Sequence, residues 1–396
     1  MNNWNKCTLG DVAKYSNTRV SINKLSVKNY ISTENMLPNR GGIGLASSVP
    51  NGNAVKYYKG QTLISNIRPY FKKIWHANND GGCSADVLVF ETNDEIDDKY
   101  FFYYLSQDHF FEYVMAGSKG TKMPRGDKQL ILKYPFSYPC KKEQQAIAAT
   151  LSCLDDKIEL NNKINKTLEE MAQAIFKSWF VDFEPFQDGE FEDSELGRIP
   201  KGWRVFDLGE VIKEIKEKVK DLDLPVLSAV KTGNLILSEE YFTKQVFSKN
   251  ISKYIVVKPF EFAYNPARIN IGSIGMNELD YVCCVSPVYV AFKSESRYKW
   301  FIKMLIKTER FKAEFITRAS GSVRQTISFT ELSKIKIVYP TNEVVDRFNL
   351  VFENLYKTQF EILQETNTLN EVGETLLPKL MSGEIRVPIE EIQSDQ

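Results

Sequence analysis

Basic side chains beside glycines are the residues of this sequence best suited to chemistry, and that chemistry is the binding of phosphate. The segment GSKGTKMPRGDK (residues 117–128) holds four cations against one acid, and TRASGSVRQT (residues 317–326) holds two arginines and no acid. Glycine lets a backbone approach a phosphate, lysine or arginine neutralises it, and arginine or glutamine can read a base edge. Taken alone, these segments fit better the alternative of a basic surface loop leading into a strand, and only the repeat described below makes the two interpretations even. The candidate DNA contacts here are Lys119, Lys122, Arg125, Arg318, Arg324 and Gln325.

A second basic cluster follows an apolar run in each half of the chain. LISNIRPYF contains Arg68, which Lys72 and Lys73 follow, and FAYNPARIN contains Arg268. An arginine inside an apolar strand pattern needs a partner, which is either a phosphate or an internal carboxylate. The arginine recurs in both halves, whereas base specificity should differ between them. This recurrence slightly favours a structural role, and all four residues stay candidates for DNA contact.

The signatures of an enzyme are missing from the sequence. No GxxxxGK[ST] phosphate loop is present, and GGIG at residues 41–44 is too short to replace one. NPAR at residues 265–268 lacks the second proline and the aromatic of an amino-methyltransferase loop, so we interpret it as a turn or strand start. With only two histidines, an imidazole metal site is not expected. We therefore predict no catalytic residue and no metal site.

The composition is typical of a globular protein of two or three domains. Of the 396 residues, 43% are hydrophobic, and Lys plus Arg and Asp plus Glu both number 51. This balance argues against a sequence-blind polycation but leaves room for local basic faces. No apolar run approaches the ~20 residues that span a bilayer, and no signal peptide is visible. Six cysteines without a CxxC pair suggest reduced thiols, so we expect a cytoplasmic protein.

The two halves of the sequence repeat each other, which predicts an internal duplication. Short strand-like runs come first in each half, followed by a helical stretch near residues 98–115 or 297–316, a Tyr-Pro pair and a long helix. Any single match would be weak, and their shared order is the signal. The matched landmarks, at offsets of 199 to 201 residues, are Trp4 and Trp203, Arg68 and Arg268, Gly120 and Gly321, and Tyr138 and Tyr339.

Both long helices carry a heptad seam in the same register, which favours a helix as the partner over a sheet. If the halves are related by a two-fold axis, the helices run antiparallel and equivalent seams meet. Polar seam positions, among them Asn161 and Thr366, would then help to fix the register. The apolar seam residues are Ile147, Leu151, Leu154, Ile158, Leu168, Ile175 and Trp179 in the first helix, and Phe348, Phe352, Leu355, Ile362, Leu369, Leu376 and Leu380 in the second.

Three segments resemble the specificity subunits of type I restriction–modification systems. KKEQQAIAATLSCLDDKIELNNKINKTLEEMAQAIFKSWFVDFEPF (141–186) is similar to their central conserved region, and DSELGRIPKGWRVFDLGEV (193–211) to the start of their second recognition domain. TLLPKLMSGEIRV (375–387) is similar to their distal conserved helix end. The resemblance covers essentially the whole chain, including its duplication.

The resemblance implies a mixed α+β fold without catalytic activity or cofactor of its own. Two similar α/β target recognition domains would each read one half of a split double-stranded DNA site, and each would be followed by a long helix. The two helices would pair as an antiparallel coiled coil with pseudo-two-fold symmetry and set the spacer. Two methyltransferase subunits and the motor-nuclease subunits would bind this scaffold and would carry S-adenosylmethionine, ATP and magnesium.

We expect recognition domains at residues 1–139 and 203–340, helical regions at 140–186 and 341–387, an acidic linker at 187–202 and a tail at 388–396. The aromatic stretch FKSWFVDFEPF closes the first helix. Its last rings, Phe183 and Phe186, are candidates for docking either a methyltransferase or the second domain. A stand-alone DNA methyltransferase or nuclease, and a coiled-coil protein unrelated to DNA, are the competing hypotheses.

Overall fold

A computed structural model describes residues 4–120, 122–242, 247–318 and 326–388. The chain divides into two compact units, the first made of residues 1–162 and 363–396 and the second of residues 163–362. Strands β1 to β10 are Asn5–Thr8, Ala13–Tyr15, Arg19–Ser21, Tyr30–Ile31, Asn53–Tyr57, Thr62–Ser65, Ile74–His76, Gly81–Cys83, Val87–Thr92 and Pro135–Tyr138. Helices α1 to α5 are Leu9–Val12, Asp98–Leu105, Asp108–Ala116, Lys128–Ile131 and Lys141–Phe180.

The rest of the chain supplies the same kinds of element. Strands β11 to β22 are Phe191–Ser194, Gly197–Pro200, Arg204–Asp207, Ile212–Ile215, Leu227–Val230, Asn234–Leu237, Ile255–Val257, Phe262–Tyr264, Ile274–Met276, Cys283–Val285, Val290–Ser294 and Lys336–Tyr339. Helices α6 to α10 are Ser238–Tyr241, Lys299–Leu305, Glu309–Arg318, Phe329–Ser333 and Asn342–Ser382.

The sheet topology repeats between the units. The central sheet has the strand order β2-β9-β6-β7 in the first unit and β14-β21-β18-β19 in the second, and all of its pairs are antiparallel. A two-stranded ladder brings the first strand beside the last, as β1-β10 and as β13-β22. The additional strands differ: they form one sheet, β3-β5-β8-β4, in the first unit and the pairs β15-β16 and β17-β20 in the second. The duplication expected from the sequence is therefore present in the fold.

Helices cover one face of each central sheet and bury its aromatic residues. In the first unit α2 begins at the N-cap Asp97, whose carboxylate accepts hydrogen bonds from two backbone N–H groups, and this orients Tyr100 and Phe101 into the core. In the second unit Trp300 and Phe301 of α7 occupy the equivalent core, beside the stacked rings of Phe262 and Phe292. Burial of such rings is the main apolar contribution to the stability of each unit.

A Tyr-Pro pair ends the last strand of each repeat, and a long helix follows. Within the first unit, the start of α5 packs beside the end of α10, where Ile147 and Leu151 share a core with Leu380. Within the second unit, the end of α5 packs beside the start of α10, where Phe176 contacts Phe348. These contacts pair the two long helices in opposite directions.

Candidate nucleic-acid interface

The two basic clusters predicted in the first half lie together at one end of the central sheet. After β6 ends, the Arg68 N–H donates to the Pro124 carbonyl at 2.8 Å and the Gly126 N–H donates to the Asn66 carbonyl at 3.2 Å. Residues 124–126 therefore run along residues 66–68. The residues brought together are Arg68, Lys72, Lys73, Lys119, Lys122 and Arg125.

Arg68 does not lie inside a strand, which corrects the strand pattern inferred from the sequence. Strand β6 ends at Ser65, and Arg68 starts a 3-10 turn formed by residues 69–71. Both residues that flank this turn, Arg68 at φ 51° and Lys72 at φ 50°, have left-handed backbones. This conformation costs an L-residue on the order of 1 kcal/mol and is held here by the surrounding hydrogen bonds.

Arg40 belongs to the same cluster, although no sequence motif indicated it. Its backbone is also left-handed, and its N–H donates to the Lys72 carbonyl at 3.0 Å. Its guanidinium pairs with Asp108 at the start of α3, and the Lys72 ammonium lies 2.8 Å from the same carboxylate. Hydrogen bonds from Lys72 and Arg40 hold the pKa of Asp108 below its usual value.

Most cations of this cluster are paired internally yet remain accessible. Lys119 pairs with Asp127 at 3.0 Å and keeps 84% of its side chain exposed, and Arg125 lies 3.3 Å from Asp86. The Lys73 ammonium donates to the Thr33 carbonyl at 2.6 Å, and burial together with the Arg68 charge lowers its pKa. Four of the seven cations, counting Arg40, pair with the three carboxylates of Asp86, Asp108 and Asp127, so the cluster is positive.

The second unit builds a similar corner from fewer cations. Asn265–Arg268 forms the turn after β18, as interpreted from the sequence, and Arg268 is exposed. Helix α8 lies against the 3-10 turn that follows, Ile269–Ile271, and its last residue, Arg318, pairs with Glu314 at 3.1 Å. The Tyr264 hydroxyl donates to the Ile327 carbonyl at 3.2 Å and ties the returning chain to the strand end. Arg324 and Gln325 lie outside the described residues.

The predicted seam residues line the helix pair to different depths. Ile147, Leu151, Phe348, Phe352 and Leu380 are buried. Where the first unit's part of the two helices ends, the Asn161 amide donates to Glu365 at 2.8 Å and to Thr366 at 3.2 Å. The half-buried seam residues are Leu154, Ile158, Leu168, Ile175, Trp179, Leu355, Ile362, Leu369 and Leu376.

The buried face of α5 rotates away from the seam in the second unit. Ala172, Phe176 and Phe180 are the buried residues there, whereas Ile175 and Trp179 are half-buried. A straight helix has 3.6 residues per turn, so a strict 3.5-residue pattern drifts round its surface. In addition, Phe180 packs on Phe301 of the same unit as well as on Phe348. The end of α5 therefore packs on the globular part of the second unit as well as on α10.

The comparisons with known proteins fit this architecture. The family model for the type I restriction modification DNA specificity domain matches residues 1–170. The specificity subunit of the type I restriction enzyme HindI of Haemophilus influenzae is 25% identical over 97% of this chain and 100% of its own length. That of MjaIX of Methanocaldococcus jannaschii is 26% identical over 74% of this chain and 70% of its own. Over nearly its whole length the chain is thus similar to the specificity subunits of type I restriction–modification systems.

A solved structure shares the fold of this chain. The S subunit of the type I restriction–modification system from M. genitalium has a TM-score of 0.60 over 96% of both chains, at 16% identity. The matched family model is one of DNA specificity domains, which agrees with the non-catalytic DNA-recognition role predicted from the sequence. Among the described residues, none of the helices is long and apolar enough to cross a membrane.

The last rings of the aromatic stretch pack inside the second unit of the chain. The ring centroids of Phe183 and Phe186 lie 5.4 and 5.1 Å from that of Trp203. The segment expected to be an acidic linker forms a hairpin, β11-β12, whose Ile199 enters the same core. Of the two alternatives for these rings, packing on the second domain is therefore present. Docking of a methyltransferase can use only the half-exposed remainder of the rings.

Proposed function

We propose that each unit contains one target recognition domain and that each domain reads one half of an asymmetric, bipartite double-stranded DNA site. The observation that carries this proposal is the repeated strand order of the central sheet together with its differing corner residues. A common frame would orient the two domains alike on DNA, and different side chains would read different bases. The boundaries 1–139 and 203–340 are part of the proposal.

The helix pair sets the distance between the two half-sites in this proposal. Helices of 40 and 41 residues would each be roughly 60 Å long at 1.5 Å per residue. One turn of DNA is about 34 Å, so such a spacer spans between neighbouring turns. The polar contacts of Asn161 support a defined register rather than a sliding one.

Two methyltransferase subunits and the motor-nuclease subunits are the proposed protein partners, and the cytoplasm is the proposed location. The apolar side chains that are exposed on the long helices are the proposed docking positions for these partners. S-adenosylmethionine, ATP and magnesium would be bound by those partners. The exposed residues are Leu160 and Met171 on α5 and Leu350, Leu363 and Val372 on α10.

The most exposed cations of the first unit's cluster are the proposed phosphate contacts. Lys119 and Lys122 lie on the loop beside the end of the sheet. Both side chains are exposed to solvent, so their ammonium groups can neutralise a phosphate. Replacing Lys122 with alanine should weaken binding to all DNA sequences alike and reduce the salt slope of log K by about one. Lys220, exposed in a different loop of the second unit, supplies a control substitution that should change neither quantity.

Methylome sequencing tests the function as a whole. The full chain is expressed with its methyltransferase partner in a host that lacks other type I systems, and methylated adenines are mapped. We expect one split motif whose two halves differ, and its disappearance when the chain is deleted. The same complex should bind that motif in preference to a scrambled one in a band-shift series. Methylation that persists without the chain, or a complex that prefers no split site, would contradict the proposal.

A further inference from the structure

We propose that a short turn at the end of the central sheet, the contact turn, is the element through which each domain distinguishes bases. The contact turn comprises residues 68–72 in the first unit and 268–272 in the second. Its leading arginine would hold a DNA phosphate, and its exposed apolar side chain would determine base preference. The inference rests on the proposed function, and it assigns specificity to Tyr70 and Ile271, which the sequence did not indicate.

The turn has the same construction in both units. It follows the equivalent strands β6 and β18, begins with Arg68 or Arg268 and continues as a 3-10 turn, Pro69–Phe71 or Ile269–Ile271. A left-handed residue closes it, Lys72 at φ 50° or Gly272 at φ 85°. Helix α3 or α8 lies against it. The fold therefore reproduces this turn although most of its side chains differ.

Each copy of the contact turn exposes a large apolar side chain beside an arginine. Tyr70 is 47% exposed and Ile271 is 56% exposed. Single exposed apolar residues are common on protein surfaces and need no explanation. Here, however, an exposed apolar side chain recurs in the same turn of two units of one chain, at the second residue of the 3-10 turn in the first unit and at the third in the second. In the first unit it is also surrounded by the positive cluster described above, which fits a polyanionic ligand.

The first contact turn is held rigidly in a strained conformation. Asn39 donates its N–H to the Phe71 carbonyl at 2.8 Å, and Arg68 donates its N–H to the Pro124 carbonyl at 2.8 Å, so two loops clamp the turn. The Nε of Arg68 is sheltered from water and has no hydrogen-bond partner among the described residues. Left-handed non-glycine residues gather at binding sites, where the fold fixes side chains before the ligand arrives.

The separate roles of the arginine and of the apolar side chain follow from comparing the two contact turns. The arginine is common to both, and a contact to the phosphate backbone positions a domain on any sequence. Tyr70 and Ile271 differ in shape and chemistry. An aromatic ring stacks on an unstacked base, whereas a branched aliphatic chain contacts a thymine methyl group or wedges at a deformable base step. Side chains that differ between the domains are the ones that can read different half-sites.

The test uses the complete complex with its methyltransferase partner and a library of sites randomised in one half at a time. Tyr70→Ala should change base preference in one half-site only, and Ile271→Ala in the other half-site only, each with about a tenfold loss for the preferred base. Tyr58 and Tyr281 supply the controls, because they are 39% and 41% exposed at the opposite end of each central sheet. Their alanine variants should keep the wild-type motif.

The arginines give an independent readout. Arg268→Ala should weaken binding on all sequences, lower the salt slope by about one and leave the motif unchanged, and Arg268→Lys should restore most of the affinity. Arg268 is exposed, so this variant remains informative even if Arg68→Ala disturbs the first unit.

Melting temperatures separate loss of fold from loss of contact. An unchanged motif in Tyr70→Ala and Ile271→Ala, or a loss that is equal on every sequence, overturns the inference. A wild-type complex that selects no split motif overturns the proposed function instead.

Discussion

The carboxylate of Glu143, at the start of the first long helix, is paired with the guanidinium of Arg386, 243 residues further along the chain. Only 3% of the Glu143 side chain is exposed, whereas half of the Arg386 side chain is in solvent. Val387, the next residue, packs on the core of the same unit. The segment after the second long helix is therefore a structural part of the first unit.

Removing this arginine should destabilise the first unit. Arg386→Ala leaves a buried carboxylate without its counter-charge, and we expect a loss of about 2 kcal/mol in the free energy of unfolding, less than for a fully buried pair because the arginine is half-exposed. Urea denaturation of the full chain measures it. The double variant Glu143→Gln, Arg386→Ala should recover part of the loss. A single variant as stable as the wild type would show that water already satisfies Glu143.

The ion pair of Lys303 in α7 with Glu278 should respond differently to replacement of the lysine and of the glutamate. Its ammonium is buried, lies 2.6 Å from Glu278 and faces the rings of Trp300 and Tyr356 at 5.5 and 4.8 Å. Burial lowers its pKa, so the charge depends on its carboxylate. Glu278→Gln should cost about 2 kcal/mol, because a buried cation loses its partner.

The matched substitution Lys303→Met should cost less, since an unbranched apolar side chain fills the same space and leaves only a carboxylate that is one-third exposed. Denaturant unfolding of both variants, compared in the same buffer, decides the order. If Lys303→Met is the more damaging change, attraction between the ammonium and the aromatic rings outweighs the burial of charge.

His76 should make the stability of the chain fall in mild acid. Its Nε2 is buried without a hydrogen-bond partner among the described residues, and burial lowers its pKa below 6.5. The unfolded chain therefore binds more protons than the folded chain as the pH falls through 6.5, and stability falls with it. The loss of unfolding free energy is complete once the pH is below the pKa of His76 in the folded chain.

The profile of unfolding free energy against pH should flatten below pH 6.5 in His76→Gln. His109, the other histidine of the sequence, is more exposed, but partial burial lowers its pKa as well, so His109→Asn measures that second contribution and should flatten the profile less. A profile that flattens as much in His109→Asn as in His76→Gln would rule out this origin of the acid sensitivity.

Lengthening both long helices tests their role as a spacer. Seven residues inserted into each helix, near residues 162 and 362, keep the heptad phase and add roughly 10 Å at 1.5 Å per residue. At about 3.4 Å per base pair, the gap in the methylated motif should widen by about three base pairs with unchanged half-sites. Methylome sequencing measures the gap. A four-residue insertion breaks the heptad phase and should instead impair the pairing of the two helices. An unaltered gap after the seven-residue insertion would contradict the spacer hypothesis.

The sequence predicted the repeat, the order of elements and the pairing of the long helices. Each of these depends on the spacing of residues along the chain. The Tyr-Pro pairs, the heptad period and the offsets of about 200 residues need no knowledge of distant contacts. The basic loop of residues 117–128 could also be found in this way, since glycines and cations lie side by side in it.

Tertiary structure alone decided which of these residues act together. Arg40 meets Lys72 at Asp108 only because the loops at both ends of the turn are clamped by backbone hydrogen bonds, for which the side-chain pattern gives no signal. The rotation of the α5 face toward Phe176 and Phe180 likewise depends on a domain packing where a helix alone was expected. Local periodicity determines which side of an element is apolar, whereas the neighbour that covers it depends on where the whole chain folds back.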